Sequence, residues 1–520
     1  MTALEVARRL RALEAGRPLP RYDTLHHIVV QPEHALIVAF VRMAGESRPW
    51  GIAWGQPEGT PEVRSVPDGR VRDDVADIAA DFGEALLGHL RVHNWTYDPM
   101  PKDASSDDLR QVWVPNGQHL AMFHQLEYAY AQTRYGGNDR DTLNALGRVS
   151  GWLFRESSRR GAQHIVDASA ALRQVFSFPA QDARQAHLGY LLAWLHSEGA
   201  AVDRMEAATE AEREPVSPTM SPSLEREDLT PLVEQRQALH RAGRDVKEIE
   251  GAIALVIQAE LRRRWELCQS AYDVLRSSDL PLNTGVGALI EFGLEEFYWR
   301  VQAPELKIAD PTQGKAYVAH PETDFHGSSA ASHYLRYSAS DERFANLLIH
   351  DDDELFMESL LDGHAMRGCV VGVRDEGTGR STRPVWVVDL DLETPQRVRE
   401  GARVIPRGSP RHWALVRTVD QDERGVHAEL EWSGNKTRPI PVGPNVKPDN
   451  DAWLGQIVEF ASSDAADLTL RRSQRVWRAA DGPGAWLTHG RRPDPIVADI
   501  ANEEPEAIID DVTQIEGADE

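Results

Sequence analysis

The pattern of apolar residues changes character once along this 520-residue chain, near residue 366, and that change constrains the fold more than any other feature. From Arg367 to Thr488, Val, Trp and Leu alternate with polar residues and are interrupted by Gly, Pro, Asp and Asn. Residues 369–373, 385–392, 414–419, 426–432 and 456–460 read as strands, with Asp375-Glu376-Gly377 and Ser433-Gly434-Asn435 as turns between them. Short strands roughly ten residues apart predict one small β-barrel or a pair of them.

Upstream the periods differ. Residues 27–30, 34–41 and 50–55 are extended apolar runs punctuated by Pro32, Gly45, Pro49, Pro57 and Gly59. A helix follows, with Val75, Ile78, Ala79, Phe82, Leu86, Leu87 and Leu90 at helical spacing. Strands followed by a helix predict a small α/β module, a layout that suits a ribonuclease-H-like core. That chemistry needs carboxylates on the central strands to hold divalent metal. The strand at 34–41 has none, so such a module is expected to be catalytically empty. From 116 to about 214 the chain reads as helical. Leu146-Gly147 with Trp152-Leu153 is echoed by Leu188-Gly189 with Trp194-Leu195, 42 residues later, which suggests either an irregular bundle or helix-pair repeats. A Pro/Ser break at 215–222 precedes long helices, where Ile249, Ile253, Val256, Ile257 and Leu261 form an apolar stripe.

The expected fold is therefore multidomain α+β. It comprises an α/β module (1–105), a helical bundle or helix-pair repeats (106–215) and a long-helix region (216–310). A loop-rich connector with short helices (311–366), the β-barrel region (367–492) and a disordered acidic tail (493–520) complete it.

Charge follows these divisions. The net charge of -25 splits into -18 over residues 1–366, +3 over 367–492 and -10 over 493–520, where ten acids stand without a Lys or Arg. An acidic body repels nucleic acid at long range, so only the barrel region is expected to meet it. Two cysteines, Cys268 and Cys369, exclude a disulfide scaffold and a Cys-based zinc site. With no apolar run of the ~18–20 residues a membrane span needs, a cytoplasmic protein is expected.

No P-loop, Rossmann fingerprint or Gly-x-Ser-x-Gly elbow is present, so no cofactor is implied and any ATPase is expected to be a partner. Among possible metal ligands, His320, Asp324 and His326 lie within seven residues, with imidazole and carboxylate donors suited to zinc or a softer divalent ion. The acids at 351–354 suit the N-terminus of the helix that follows. Asp389, Asp391 and Glu393 alternate along one strand, yet a restriction-type nuclease also needs a Lys beside its Glu, and Glu393 is followed by Thr394 and Pro395. The stronger feature is basic and aromatic. Arg399, Arg403 and Arg411 surround Trp413, and Arg471, Arg472, Arg475 and Arg478 surround Trp477. Small barrels bind nucleic-acid strands by such a combination of cationic groove and stacking platform. The structural alternative places the tryptophans in the barrel core and pairs the arginines with local acids.

Two family resemblances bear on the barrel region. Arg399, Arg403 and the turn from Asp420 to Gly425 resemble the cyclic-dinucleotide-binding PilZ pattern, with Asp422 where that family has Ser. Residues 368–373, 386–390 and 399–404, with Gly401 to Val404 as a Gly-x-Arg-Val run, resemble the β-barrel insert of Upf1-like superfamily 1 helicases. The helicase motor motifs are absent, so the second resemblance implies a nucleic-acid-facing accessory module without a motor. The resulting expectation is a non-catalytic accessory or adaptor subunit of a bacterial-type nucleic-acid-processing or antiviral defence complex. It would bind a protein partner, an ATPase or nuclease, and DNA or RNA through the barrel, away from membranes. A metal-dependent hydrolase or nuclease and a purely structural helical adaptor are the alternatives.

Overall fold

The seven residues from Ala35 to Val41 are apolar and buried at every position, as in a strand covered on both faces. They form the middle of a five-stranded mixed sheet in a computed structural model. The model describes residues 3–21, 29–90, 92–93, 96–97, 109–133, 139–157, 164–180, 184–277, 349, 353–377, 383–391, 397–407, 413–422, 425–432 and 454–463. All of these belong to one compact unit, Met1–Ala319 with Asp341–Ser463; the second unit, His320–Ser340 with Asp464–Glu520, lies outside them.

The chain begins with helix α1 (Ala3–Ala15) and the two-residue strand β1 (Leu19–Pro20). The sheet strands β2 (Ala35–Val41), β3 (Gly51–Gly55) and β4 (Glu62–Ser65) then run antiparallel to one another. Helix α2 (Arg72–His89) leads past the small hairpin β5 (Val92–His93) and β6 (Thr96–Tyr97) to β7 (Gln111–Val114), which pairs parallel with β2. Helices α3 (Gly117–Tyr130) and α4 (Arg140–Glu156) lead to β8 (Ile165–Asp167), parallel to β7. The sheet order is β4-β3-β2-β7-β8. After α5 (Ala168–Val175) and β9 (Phe176–Ser177), which pairs with β1, come α6 (Leu188–His196), α7 (Ala201–Ala211), the short α8 (Pro222–Leu224), α9 (Thr230–Arg241) and the 30-residue α10 (Lys247–Arg276).

Two faces of the sheet are covered by different means. On one, Phe40 meets Phe82 of α2 and Phe123 of α3 edge-on, with ring centroids 6.0 and 5.5 Å away. On the other lies α10, which buries Ile249, Ile253, Ile257, Leu261, Trp265, Cys268 and Tyr272. Its seat is cut by small residues. Gly51, Ala53 and Gly55 alternate on β3 and so share a face, and a Cβ on Gly51 would stand 2.7 Å from Leu261 Cδ1. Trp265 Nε1 donates to the Ile37 carbonyl (3.2 Å), and Tyr272 Oη donates to that of Val30 (2.6 Å). Gly51→Val is accordingly expected to destabilise the protein by about 1–3 kcal/mol through overpacking, read as a lower urea midpoint at unchanged slope.

The expected separation at residue 105 is not what forms. One continuous apolar core runs from Val30 to Leu275, and the segment read as wholly helical supplies β7 and β8 to the N-terminal sheet. These strands are four and three residues long, too short for a period to register between helices, and parallel pairing requires the helical crossovers that surround them. The two Leu-Gly…Trp-Leu stretches are not equivalent. Gly147 sits inside α4 against the backbone of Ala131, whereas Gly189 lies in the first turn of α6.

Helix α11 (Asp353–Leu361) precedes the second body, built of β10 (Ala365–Glu376), β11 (Arg383–Leu390), β12 (Arg403–Pro406), β13 (Ala414–Asp422), β14 (Gly425–Trp432) and β15 (Ile457–Ser463). All its pairings are antiparallel, in the order β10-β11-β14-β13-β12-β15, and β15 returns to pair with β10, closing the sheet. Met366, Val370, Trp386, Val388, Val404, Val416, Leu430, Trp432 and Phe460 fill it, with the Trp386 and Trp432 rings 4.8 Å apart. Arg8 of α1, itself buried, donates to Glu354 of α11 (2.7 Å).

Candidate functional site

In an open α/β sheet the natural ligand crevice lies beyond the carboxyl ends of the strands, where the strand order reverses. Here that point falls between β2 and β7, and the chain itself occupies it. β7 pairs with β2 only along Ala35–Ile37. Beyond it, the Arg42 amide donates to the Pro218 carbonyl (2.8 Å), and the Met220 amide donates to that of Arg42 (3.0 Å). The strap 215–220 thus adds a fragment of parallel pairing, with the bridge Arg42↔Thr219, and buries Val216 and Met220. This strap is the Pro/Ser break that precedes the long helices in the sequence.

Three side chains hold the strap. His119 of α3, fully buried, accepts the Phe40 amide proton at Nδ1 (3.1 Å) and donates from Nε2 to the Val216 carbonyl (2.8 Å). Burial lowers its pKa from 6.5 to about 3, so the ring is neutral with its proton on Nε2. Arg264 of α10, also fully buried, donates to the carbonyls of Ser217 (2.8 Å), Thr219 (3.4 Å) and Glu260 (3.0 Å) and to Glu260 Oε2 (2.5 Å). Its pKa falls to about 10, chiefly through burial, with Glu260 opposing the fall. Arg263 donates to the Pro215 carbonyl (2.6 Å). The central strands β2, β3 and β7 carry no carboxylate. Asp167, at the end of β8, accepts from the Ala170 amide (2.9 Å) and Ser169 Oγ (2.8 Å), capping α5, and burial raises its pKa. No group of three His, Cys, Asp or Glu side chains among the described residues could hold a metal ion.

On the barrel, Arg403 enters β12, and its guanidinium lies 4.2 Å from the centre of the half-buried Trp413 ring. Arg399 is exposed in the turn before β12. Of the other residues expected at this face, Arg411, Arg471, Arg472, Arg475, Trp477 and Arg478 lie outside the described residues, as do the candidate metal ligands His320, Asp324 and His326.

Much of the remaining cationic charge is committed to local acids. Arg417 bridges Glu431 (2.7 Å) and Glu376 (2.5 Å), and these hydrogen bonds raise its pKa. Arg374 joins Glu376 (2.9 Å) to Glu429 (2.8 Å), while Arg383 pairs with Glu431. Burial alone would raise the Glu431 carboxyl, but Arg417 and Arg383 outweigh it and hold it below its ordinary value. Arg407 binds Glu459 (3.1 Å) and Asp353, and Arg367 binds Glu459 (2.5 Å). Asp353 thus joins an arginine of the barrel from the start of α11. Asp389, considered above as part of a nuclease strand, faces His427 at 2.6 Å, and Asp422 meets the other ring nitrogen at 3.0 Å. Hydrogen bonds to Asp422 and then Asp389 raise the His427 pKa. Asp422, which stands where the PilZ pattern has Ser, also accepts the Gly425 amide proton (3.2 Å) and so serves the turn.

Sequence reasoning missed the strap and its anchors. A lone His in an amphipathic helix and an Arg in a long charged one carry no signal of their own, and only the fold brings them together. The chain is a mixed α/β multidomain protein, and no described helix is long and apolar enough to cross a membrane. No family model matches it, and neither a curated protein nor a solved structure does.

Proposed function

We propose that the chain is a non-catalytic accessory or adaptor subunit of a bacterial-type nucleic-acid-processing or defence complex, acting through a protein partner. The strap over the β2–β7 switch point carries this reading. Where an enzyme on such a sheet would admit substrate, backbone from 215–220 fills the space and Arg264 and His119 tie it down. Three antiparallel strands continued by helix-connected parallel ones suit a ribonuclease-H-like module that has lost its metal-binding carboxylates. The test is incubation of the purified protein with labelled single- and double-stranded DNA and RNA in Mg²⁺, Mn²⁺ or Zn²⁺. No cleavage is expected. Metal-dependent cleavage lost in His326→Ala would overturn the proposal in favour of a hydrolase.

A second reading, nucleic-acid binding by the barrel, is favoured by the Arg403–Trp413 pair beside the exposed Arg399. Arginine and an aromatic ring at one place supply a phosphate contact and a stacking surface together. In fluorescence anisotropy at low salt, binding of labelled single strands is expected to weaken about tenfold in Trp413→Ala and Arg403→Ala. It should also fall with added salt and tighten in a chain ending at Arg492, which lacks the acidic residues 493–520. Equal affinity of all these proteins, or no binding by any, would remove the barrel from consideration as a nucleic-acid face.

A further inference from the structure

Helix α1 turns Arg8 and Ala12 inward, 5% and 0% exposed, and leaves Val6, Leu10 and Leu13 at 41%, 53% and 50%. Positions i, i+4 and i+7 fall on one side of a helix, so these three make a single apolar stripe. Helix α7 does the same with Val202 and Met205, 58% and 48% exposed. The two helices meet at their ends: a Cβ on Gly16, just past α1, would lie 2.7 Å from the Cβ of Ala201, the first residue of α7. Scattered exposed apolar residues need no explanation, but two stripes meeting at one junction point to an interaction surface.

Charge selects the occupant. Around the α1 stripe the exposed Arg11 and Arg17 outnumber the exposed Glu14, and around the α7 stripe the exposed Asp203, Glu206 and Glu210 outnumber the exposed Arg213. A uniformly acidic or basic partner would oppose one half of this surface. An anionic bilayer would favour α1 and be repelled by α7. A second copy related by a two-fold axis satisfies both halves, because each basic α1 then faces the acidic α7 of its mate. We propose that the α1–α7 face is a two-fold interface between copies of this chain. The surface follows from the exposed stripes alone and does not depend on the function proposed above.

The charge pattern supplies a decisive test on the full-length protein by sedimentation equilibrium. Wild type is expected to be a dimer at tens of micromolar. Leu10→Asp and Val202→Asp should each raise the dissociation constant at least tenfold, with unchanged thermal melts monitored by circular dichroism. Chains carrying Arg17→Glu, and separately chains carrying Glu206→Arg, should be monomeric alone, since each places like charges opposite one another in both halves of the interface. Mixed together they should form a one-to-one dimer, because every pair is again of opposite sign. A wild-type monomer at 100 µM would overturn the proposal. So would a dimer indifferent to Leu10→Asp and Val202→Asp, or charge variants that fail to recover on mixing. A monomer that co-sediments with phosphatidylserine vesicles through Leu10 would likewise overturn it, assigning the face to a lipid surface.

Discussion

Arg264→Ala is expected to destabilise the α/β body by about 3–5 kcal/mol, the range found when one member of a buried ion pair is removed. Arg264 is wholly buried, and Glu260 is 13% exposed. The substitution leaves the Glu260 carboxylate without its inward partner and the Ser217 and Thr219 carbonyls without their donor. Arg263 still reaches Glu260 (3.0 Å) but cannot serve the strap carbonyls at Ser217 and Thr219 from the half-exposed side of α10. Urea unfolding at neutral pH measures the loss. Limited proteolysis localises it, with new cleavage expected at 215–220 well below the unfolding midpoint. Arg264→Lys should recover only part of the stability, because an ammonium lacks the planar fork that serves three carbonyls and a carboxylate at once. A loss under 1 kcal/mol with no change in proteolysis would mean that the strap is held by its apolar residues.

The second large effect concerns pH. His119 is neutral in the folded chain down to about pH 3, whereas the unfolded chain protonates the same imidazole near its ordinary value of 6.5. Between those values the unfolded state binds the extra proton. Stability is therefore complete above pH 6.5 and falls on acidification, by about 1.4 kcal/mol per pH unit for this one group. At pH 4.5 its share of the loss reaches about 2.7 kcal/mol. His119→Gln offers an acceptor and a donor that do not ionise within this range. It should be less stable at pH 7, where a less suitable shape bridges Phe40 and Val216, yet its stability should fall less steeply with acid by about one proton. Parallel urea titrations from pH 7 to pH 4.5 measure the difference in slope. Equal slopes would show that His119 is already accessible to protons in the native state. His427 works in the opposite sense: its raised pKa contributes stability at low pH that is lost as pH rises through its folded value. Because that side chain is solvent-screened, its effect is small.

The strands of the C-terminal body were legible in the sequence because each of their faces is uniform. Alternation at 385–392 and 426–432 put Trp386, Val388, Leu430 and Trp432 on one side and Asp389, His427 and Glu431 on the other, and the strands form there. The basic character of the segment was equally legible. Its pairing was not, since Arg374, Arg383 and Arg417 meet Glu376, Glu429 and Glu431 across strands that are up to 55 residues apart in sequence. The α10 stripe was visible for the same reason as these strands, a single period held over many residues.

Local periodicity thus determined the helices, most strands and the change of architecture near residue 366, because hydrophobic burial repeats with the geometry of the element that carries it. It also determined that β2 would lack the carboxylates of a metal-dependent nuclease, since composition is independent of fold. Tertiary structure alone decided that β7 and β8 join the N-terminal sheet and that residues 215–220 close the crevice between β2 and β7. It likewise brought His119 and Arg264 to the same strap, although 145 positions separate them in the sequence. Contacts of that kind depend on which surfaces meet after the chain folds back, and a one-dimensional pattern holds no record of long-range distance.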